Sequence, residues 1–254
     1  MMEFPKLEKE FAVHVYETGP DGKLTLHSLF DYFQDIASDH AVKLGYGRDE
    51  LLKNNNFWVL SRIYAEIISW PQWGEIVVIK TWPRGTDRLF ALRDFEVHYH
   101  DGGPVARATS SWLIIDRNSR RIQRPDDNLR KYDPDLPDKK ALIRNAIKLE
   151  PADLNGLKTN QFNVRISDLD LNLHTNNVRY LKWVTDSYDL DFIINNVPFS
   201  AEINYLAESH YNDPVAIIMS EEKENGGTFI HSIMRTSDNT ELCRVRITWK
   251  NNHT

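Results

Sequence analysis

The segment EFAVHV near the start of the chain returns past its midpoint as QFNVRI, with Phe11 matching Phe162 at an offset of 151. Trp73-Gly74-Glu75 returns as Tyr211-Asn212-Asp213 at an offset of 138. DGGPVARATSSW returns as DNTELCRVRITW at 137, so that Asp101 pairs with Asp238 and Trp112 with Trp249. The offset drops by 13 because the first copy carries the extra stretch GYGRDELLKNN. A two-copy repeat of this period is too long for a solenoid and reads as a diverged duplication. The 254 residues are then two small domains built on one plan.

Each copy runs strand, helix, then four strands. LTLHSLFDYFQDIASDHAVKLG sets Leu26, Leu29, Phe30, Phe33, Ala37 and Leu44 on a 3.6-residue stripe and stops at Gly45. NNVRYLKWVTDSYDLDFIIN repeats the stripe with Val178, Leu181, Val184, Tyr188 and Phe192, predicting one helix from Asn177 to Asn195. RDELLKNN adds a helical turn or two after the first. In ELCRVRITW, Cys243, Val245, Ile247 and Trp249 share one face of a strand, and Arg244, Arg246 and Thr248 the other. GEIVVIKTW, LFALRDFEVHYH, PVARATSSWLII and TFIHSIMRTS are further strands, with HDGGP and ENGGT as hairpin turns. PDDNLRKYDPDLPDKKALIRNAIKLEPADLNG, rich in proline and charge, reads as a linker of low regular structure. The fold class is α+β: halves at 1–131 and 159–254, each a helix on a curved antiparallel sheet, joined through 132–158.

Composition narrows the function classes. Hydrophobic residues at 41% and charged residues at 27% exclude a disordered chain. A net charge of −6 gives no global case for binding nucleic acid. The N-terminus has no apolar signal region and no stretch approaches a membrane span. The single cysteine, Cys243, cannot form an internal disulfide, so a reducing cytoplasm is expected. No phosphate-binding or dinucleotide glycine motif is present. His98 and His100 have no cysteine or acidic partner motif and read as surface rather than zinc ligands.

The densest polar chemistry lies in DLDLNLHTNNVRYLKW, Asp168 to Trp183. It leads straight into the second helix, whose first N–H groups lack intrahelical partners and carry partial positive charge. Such a place suits an oxyanion or a polarised carbonyl. Asp170, Asn172 and His174 alternate, so an extended backbone would turn all three to one side. Thr175, Asn176 and Asn177 can cap the helix. An isolated DLDLN would be a cap-and-turn sequence and nothing more.

These features resemble one family, the acyl-acyl-carrier-protein thioesterases of plants and bacteria, over nearly the whole chain. The resemblance rests on DLDLNLHTNNVRYLKW and INYLAES in the second half, and on NFWVLSRIYAEI, PQWGEIVVIKTWPRG and ATSSWLIIDRNSRRIQRP in the first. It implies two tandem hotdog domains, each a long helix wrapped by a curved antiparallel sheet. Where many members carry Glu-Cys after the corresponding strand, this chain has Glu208-Ser209, which leaves no cysteine nucleophile there. Ser209 and His210 read as strand-end surface.

The resemblance implies hydrolysis of fatty acyl thioesters on acyl carrier protein, with Glu208 and His174 activating water. Asn172 and a helix-start amide would hold the carbonyl, and Asp170 would orient its neighbours. Asn176 and Asn177 would border the substrate, and Leu29, Phe30, Phe33 and Ala37 would line the acyl chain. The first copy has no D-x-N-x-H, so one active site per chain is expected. Arg117, Arg120, Arg121 and Arg124 reverse the local charge, with Arg130 and Lys131 close behind; this is either a solvated turn or a docking patch for an acidic carrier. No metal or organic cofactor is expected. An acyl-CoA thioesterase and a non-catalytic acyl-thioester-binding protein remain as alternatives, and a monomer and a homodimer are both open.

Overall fold

The computed structural model describes residues 6–125, 140–153, 157–222 and 226–252. Arg130, Lys131 and parts of the expected linker, 132–139 and 154–156, lie outside the described residues. The chain divides between Ala146 and Ile147 into two compact units, inside the stretch expected to join the copies.

In the first unit β1 (Leu7–Ala12) is followed by α1 (Leu26–Lys43) and the short α2 (Arg48–Lys53). Then come β2 (Asn56–Ile67), β3 (Ile76–Asp87), β4 (Phe90–Tyr99), β5 (Pro104–Asp116) and the short β6 (Ile122–Gln123). The strands pair antiparallel in the order β1-β3-β4-β5-β2, with β6 beside β5. α1 buries Leu26, Leu29, Phe30, Tyr32, Phe33, Ile36, Ala37 and His40, and Phe33 packs against Phe95 of β4 at 4.8 Å between ring centres. Val77, Ile79, Val97, Val105 and Ala108 complete the core. Apolar side chains at alternate strand positions meet the helix stripe, and their removal from water is the main stabilising term.

The second unit repeats the plan. β7 (Leu157–Asn163), α3 (Asn177–Thr185) and α4 (Leu190–Asn195) precede β8 (Asn196–Tyr205), β9 (Pro214–Glu221), β10 (Thr228–Arg235) and β11 (Thr240–Asn251). Their antiparallel order is β7-β9-β10-β11-β8, the order of the first unit strand for strand. Cys243, Val245, Ile247 and Trp249 of β11 are buried together, as their alternation predicts.

The second helix departs from expectation: it is not continuous from Asn177 to Asn195 but breaks after Thr185. The Thr185 hydroxyl donates to Lys182 O at 2.9 Å and the Ser187 hydroxyl to Val184 O at 2.7 Å. Side chains that bond nearby carbonyls compete with helix continuation. The break lets Tyr188 stack edge-on against Trp249, 4.9 Å between ring centres, and hydrogen-bond His231 at 2.9 Å.

Residues 140–153 form neither helix nor strand, yet they are not slack. In the first unit the Ala141 N–H donates to Asp94 Oδ2 at 2.8 Å, and Asp94 also accepts from Thr109 and from the buried Arg84. Arg84 in turn donates to Asn145. In the second unit Ile147 N–H reaches Glu202 at 2.7 Å, Leu149 N–H reaches Asn204 at 2.7 Å and Ala152 N–H reaches Ser232 at 3.0 Å. Side chains take the place of a neighbouring strand, which is how an irregular segment satisfies its buried amides.

Candidate active site

The candidate site is a turn, a helix start and a strand end, all in the second unit. Asp170, Asn172 and His174 do not lie on an extended run. The chain turns at 171–173, and the reason is Asp170 itself. Its carboxylate Oδ1 accepts the N–H of Asn172 at 2.7 Å and of His174 at 3.2 Å, an Asx turn, and Asp170 N–H closes onto His174 O at 2.8 Å. Leu173 takes a left-handed φ of 62° at the corner. The Asn172 amide also donates to Asp170 Oδ2 at 3.4 Å, so the carboxylate orders both residues that sequence reasoning grouped with it.

Asn176 is the N-cap of α3, its side-chain oxygen accepting Val178 N–H at 2.9 Å. Arg179 N–H donates to Asn176 O at 2.9 Å. Asn177 N–H, the first amide of the helix, has no intrahelical acceptor by helix geometry. Asn177 O accepts the Tyr205 hydroxyl at 3.1 Å, which fixes the first residue of the helix to β8.

Glu208 follows β8 and meets His174, Oε1 to Nδ1 at 3.6 Å, with both side chains about two-thirds covered. His174 and His210 face each other as a single antiparallel pair, their rings edge to face at 4.9 Å. The frame below them is held by Arg235, which donates to Glu208 O at 3.2 Å and to Asp213 Oδ2 at 3.3 Å. Asp213 Oδ2 accepts the His210 N–H at 3.0 Å. Sequence reasoning missed Arg235 and Asp213. The repeat held the signal for Asp213, since Glu75 accepts Gln72 N–H at 2.7 Å at the corresponding place.

Ser209 is not strand-end surface. It is wholly buried, its hydroxyl 2.7 Å from that of Thr175 and 2.8 Å from that of Tyr180. Its backbone O accepts Thr175 N–H at 2.9 Å. Placed beside an acidic residue, it looks exposed in sequence, but the two hydroxyl partners come from the helix side and leave no signal nearby. Cys243 is also fully buried, and burial pushes its thiol well above the usual range, so it offers no thiolate. His98 and His100 stand apart from this site, each within ion-pair distance of a glutamate, Glu96 and Glu10.

The first unit carries the same scaffold without the chemistry. Gly19 N–H closes onto Lys23 O at 2.8 Å, Leu24 N–H onto Pro71 O at 2.7 Å, and Lys23 pairs with Gln72. Lys23, Trp70 and Gln72 thus stand where the second unit has His174, Glu208 and His210. Leu29, Phe30, Phe33 and Ala37 are buried in the first unit's core; Arg117, Arg120 and Arg121 are exposed on its β5–β6 turn and Arg124 is exposed just after β6.

A family model for the acyl-ACP thioesterase N-terminal domain matches residues 5–132, and one for the C-terminal domain matches residues 152–251. The chain belongs to the acyl-ACP thioesterase family. Acyl-ACP thioesterases are thiolester hydrolases, and this member is one by descent. Oleoyl-acyl carrier protein thioesterase 1, chloroplastic, of Arabidopsis thaliana is 27% identical over 278 residues, covering 96% of this chain and 75% of that protein. The palmitoyl-acyl carrier protein thioesterase, chloroplastic, of Gossypium hirsutum is 26% identical, covering 96% of this chain and 64% of its own. An acyl-ACP thioesterase structure from Bacteroides thetaiotaomicron superposes with a TM-score of 0.85 at 24% identity, over 96% of this chain and 98% of that one. The 12:0-ACP thioesterase of Umbellularia californica gives 0.83 at 23%, over 97% and 98%. The fold of this acyl-ACP thioesterase family member is accordingly two tandem hotdog domains. Among its described residues no helix is long and apolar enough to cross a membrane.

Proposed function

We propose that the protein hydrolyses fatty acyl thioesters of acyl carrier protein, releasing the free fatty acid, with its chemistry at His174 and Glu208. The observation that carries this reading is the His174–Glu208 pair, 3.6 Å apart, set beside a capped helix start. A water molecule held between the two gives up its proton as it attacks the thioester carbonyl, and the same pair returns a proton to the leaving thiol. Asn177 N–H and the Asn172 amide hold the carbonyl oxygen as negative charge grows on it. Asp170 positions both Asn172 and His174 through the turn it closes. No group covalently bonded to the acyl carbon is required, and both thiol and serine routes lack a free nucleophile among the described residues of the site.

The acyl tail runs along the α1 stripe of Leu29, Phe30, Phe33 and Ala37, apolar side chains buried in the unit without the catalytic set. Arg117, Arg120, Arg121 and Arg124 meet the acidic carrier; their exposure in a chain of net charge −6 supports that role. Burial of a lone reduced Cys243 suits a reducing compartment such as the cytoplasm.

The test is steady-state turnover of acyl-ACP and acyl-CoA by the wild-type chain, Glu208→Gln and His174→Ala. Each variant should keep its fold and lose about 10²–10⁴ in kcat. Acyl-ACP should be preferred, and its kcat/KM alone should fall as salt rises. Equal use of acyl-CoA at all salt concentrations would assign the other carrier. Near-normal kcat in Glu208→Gln would remove it as the base, and no turnover of either substrate would leave a binding protein.

A further inference from the structure

His210 has no part in the hydrolytic scheme, yet it stands against the pair that does. One ring nitrogen of His174, one of His210 and one carboxylate oxygen of Glu208 all lie within 4.8 Å of one another. Two imidazoles and a carboxylate are a donor set that zinc takes in hydrolytic sites, with a fourth position left to water. Tetrahedral zinc with ligands at about 2.0–2.1 Å needs donor atoms roughly 3.3 Å apart. The His174–Glu208 separation of 3.6 Å is near that value, and the remaining gap is closed by side-chain rotation in partly exposed groups.

What makes the cluster a candidate site, rather than three neighbouring side chains, is its frame. Asp170 accepts the His174 N–H, Asp213 accepts the His210 N–H, and Arg235 joins Glu208 O to Asp213. The two histidine backbones are also paired directly across the turn. All three donors therefore leave backbone positions that are fixed relative to one another. The first unit repeats the backbone pairing between Lys23 and Gln72 but offers Lys23, Trp70 and Gln72 at these positions, none of which completes such a set.

We propose that His174, Glu208 and His210 bind a divalent transition metal, Zn²⁺ foremost, and that the ion competes with thioester hydrolysis for the same groups. The competition rests on the reading of His174 and Glu208 as the water-activating pair. A lone pair engaged with the ion cannot take a proton from water, so the metal-bound and hydrolytic states exclude each other. Imidazole donors favour Zn²⁺, Cu²⁺ and Ni²⁺ over Mg²⁺ and Ca²⁺, so the latter pair should be without effect.

The experiment uses the full chain, freed of metal with a chelator. Co²⁺ serves as the spectroscopic probe and Zn²⁺ as its competitor, with calorimetry giving affinity and stoichiometry. One equivalent should bind, with the visible bands of four-coordinate Co²⁺, and Zn²⁺ should displace it. His210→Gln should weaken Zn²⁺ binding at least about tenfold, while His98→Gln leaves it unchanged. Metal-free His210→Gln should turn over acyl thioester at the wild-type rate, and should need at least about tenfold more Zn²⁺ for the same inhibition. Chelator should restore the wild type. Equal Zn²⁺ affinity in wild type and His210→Gln would overturn the site, and a rise in turnover with Zn²⁺ would overturn the competition. One-to-one Zn²⁺ binding by a chain that hydrolyses no acyl thioester would instead uphold the metal site and overturn the hydrolase reading beneath the competition.

Discussion

The Ser209 hydroxyl sits one residue from Glu208 in the chain, but its oxygen is 2.7 Å from that of Thr175 and 2.8 Å from that of Tyr180. A hydroxyl enclosed by two others acts as a joint between α3 and the loop after β8, and it has no base beside it to make it a nucleophile. Burial also pushes the Tyr180 phenol up to about 12, so that partner stays a neutral hydroxyl at working pH. Ser209→Ala removes one partner from two buried hydroxyls, and leaving such groups unsatisfied costs about 1–3 kcal/mol. The expected outcome is a lower urea midpoint with kcat of the folded enzyme within about tenfold of wild type. An acyl group trapped on Ser209 and seen by mass spectrometry would overturn this account. At this scale the sequence was legible where a residue's neighbours are local: Asp170, Asn172, His174 and the Asn176 cap are set within seven positions. It was illegible where partners arrive from another strand, as for Ser209 and for Arg235, whose contacts to Glu208 and Asp213 span 27 and 22 residues.

Turns and helix starts are the elements that the duplication preserved most closely. Gly22 and Leu173 occupy the same corner with φ of 75° and 62°, although only glycine adopts that conformation without side-chain strain. Glu17 and Asp168 each accept the N–H three residues before them at 2.8 Å. These correspondences explain why the succession of strands along the chain and the first helix could be read from pattern alone: both copies carry the same alternation and the same stop signals. The continuous second helix could not be predicted correctly, because Tyr188 and Phe192 fit the apolar stripe while Thr185 and Ser187 bond backwards to the helix carbonyls. α1 has no such break and keeps an apolar face along 18 residues. Ala37 is the smallest of the four stripe residues assigned to the acyl tail and is buried at 5% exposure. Ala37→Leu should therefore shorten the preferred substrate. Losing room for two methylenes, at about 0.8 kcal/mol each, should lower kcat/KM for the longest chains roughly tenfold or more. Profiles across saturated acyl thioesters, from wild type and variant, measure it. Retained activity on the best shorter substrate is the expected result; an equal loss at every length would signal overpacking of the core instead.

Each unit of the molecule also encloses one neutral histidine, and together these set how the whole protein responds to acid. In the first unit the Arg93 guanidinium donates to His40 Nδ1 at 3.0 Å, so that nitrogen is an acceptor and the ring carries no charge. In the second, His231 Nδ1–H donates to Val245 O at 3.1 Å and Nε2 accepts the Tyr188 hydroxyl at 2.9 Å, which leaves no lone pair free for a second proton. Burial, the larger cause in both, lowers each histidine to about 4; nearby Arg93 adds to the effect at His40. The folded value lies below the ordinary 6.5, so between about pH 6.5 and 4 the unfolded chain binds more protons than the folded one. Stability is then fully present above about 6.5 and is lost as pH falls towards 4, below which the loss from these two groups is complete. At about 1.4 kcal/mol per proton per pH unit, each histidine should remove roughly 2 kcal/mol between pH 6.5 and 5. Asp94, whose buried carboxyl is raised, and Asp186, raised by partial desolvation, pull the other way, so the histidine contribution is best read as a difference between variants. His231→Gln can still donate to Val245 O and accept from Tyr188. Its urea midpoint should therefore fall less between pH 7 and pH 5 than that of the wild type, and His40→Gln should do the same. A wild-type pH dependence retained in full by both variants would show that neither ring takes up its proton on unfolding.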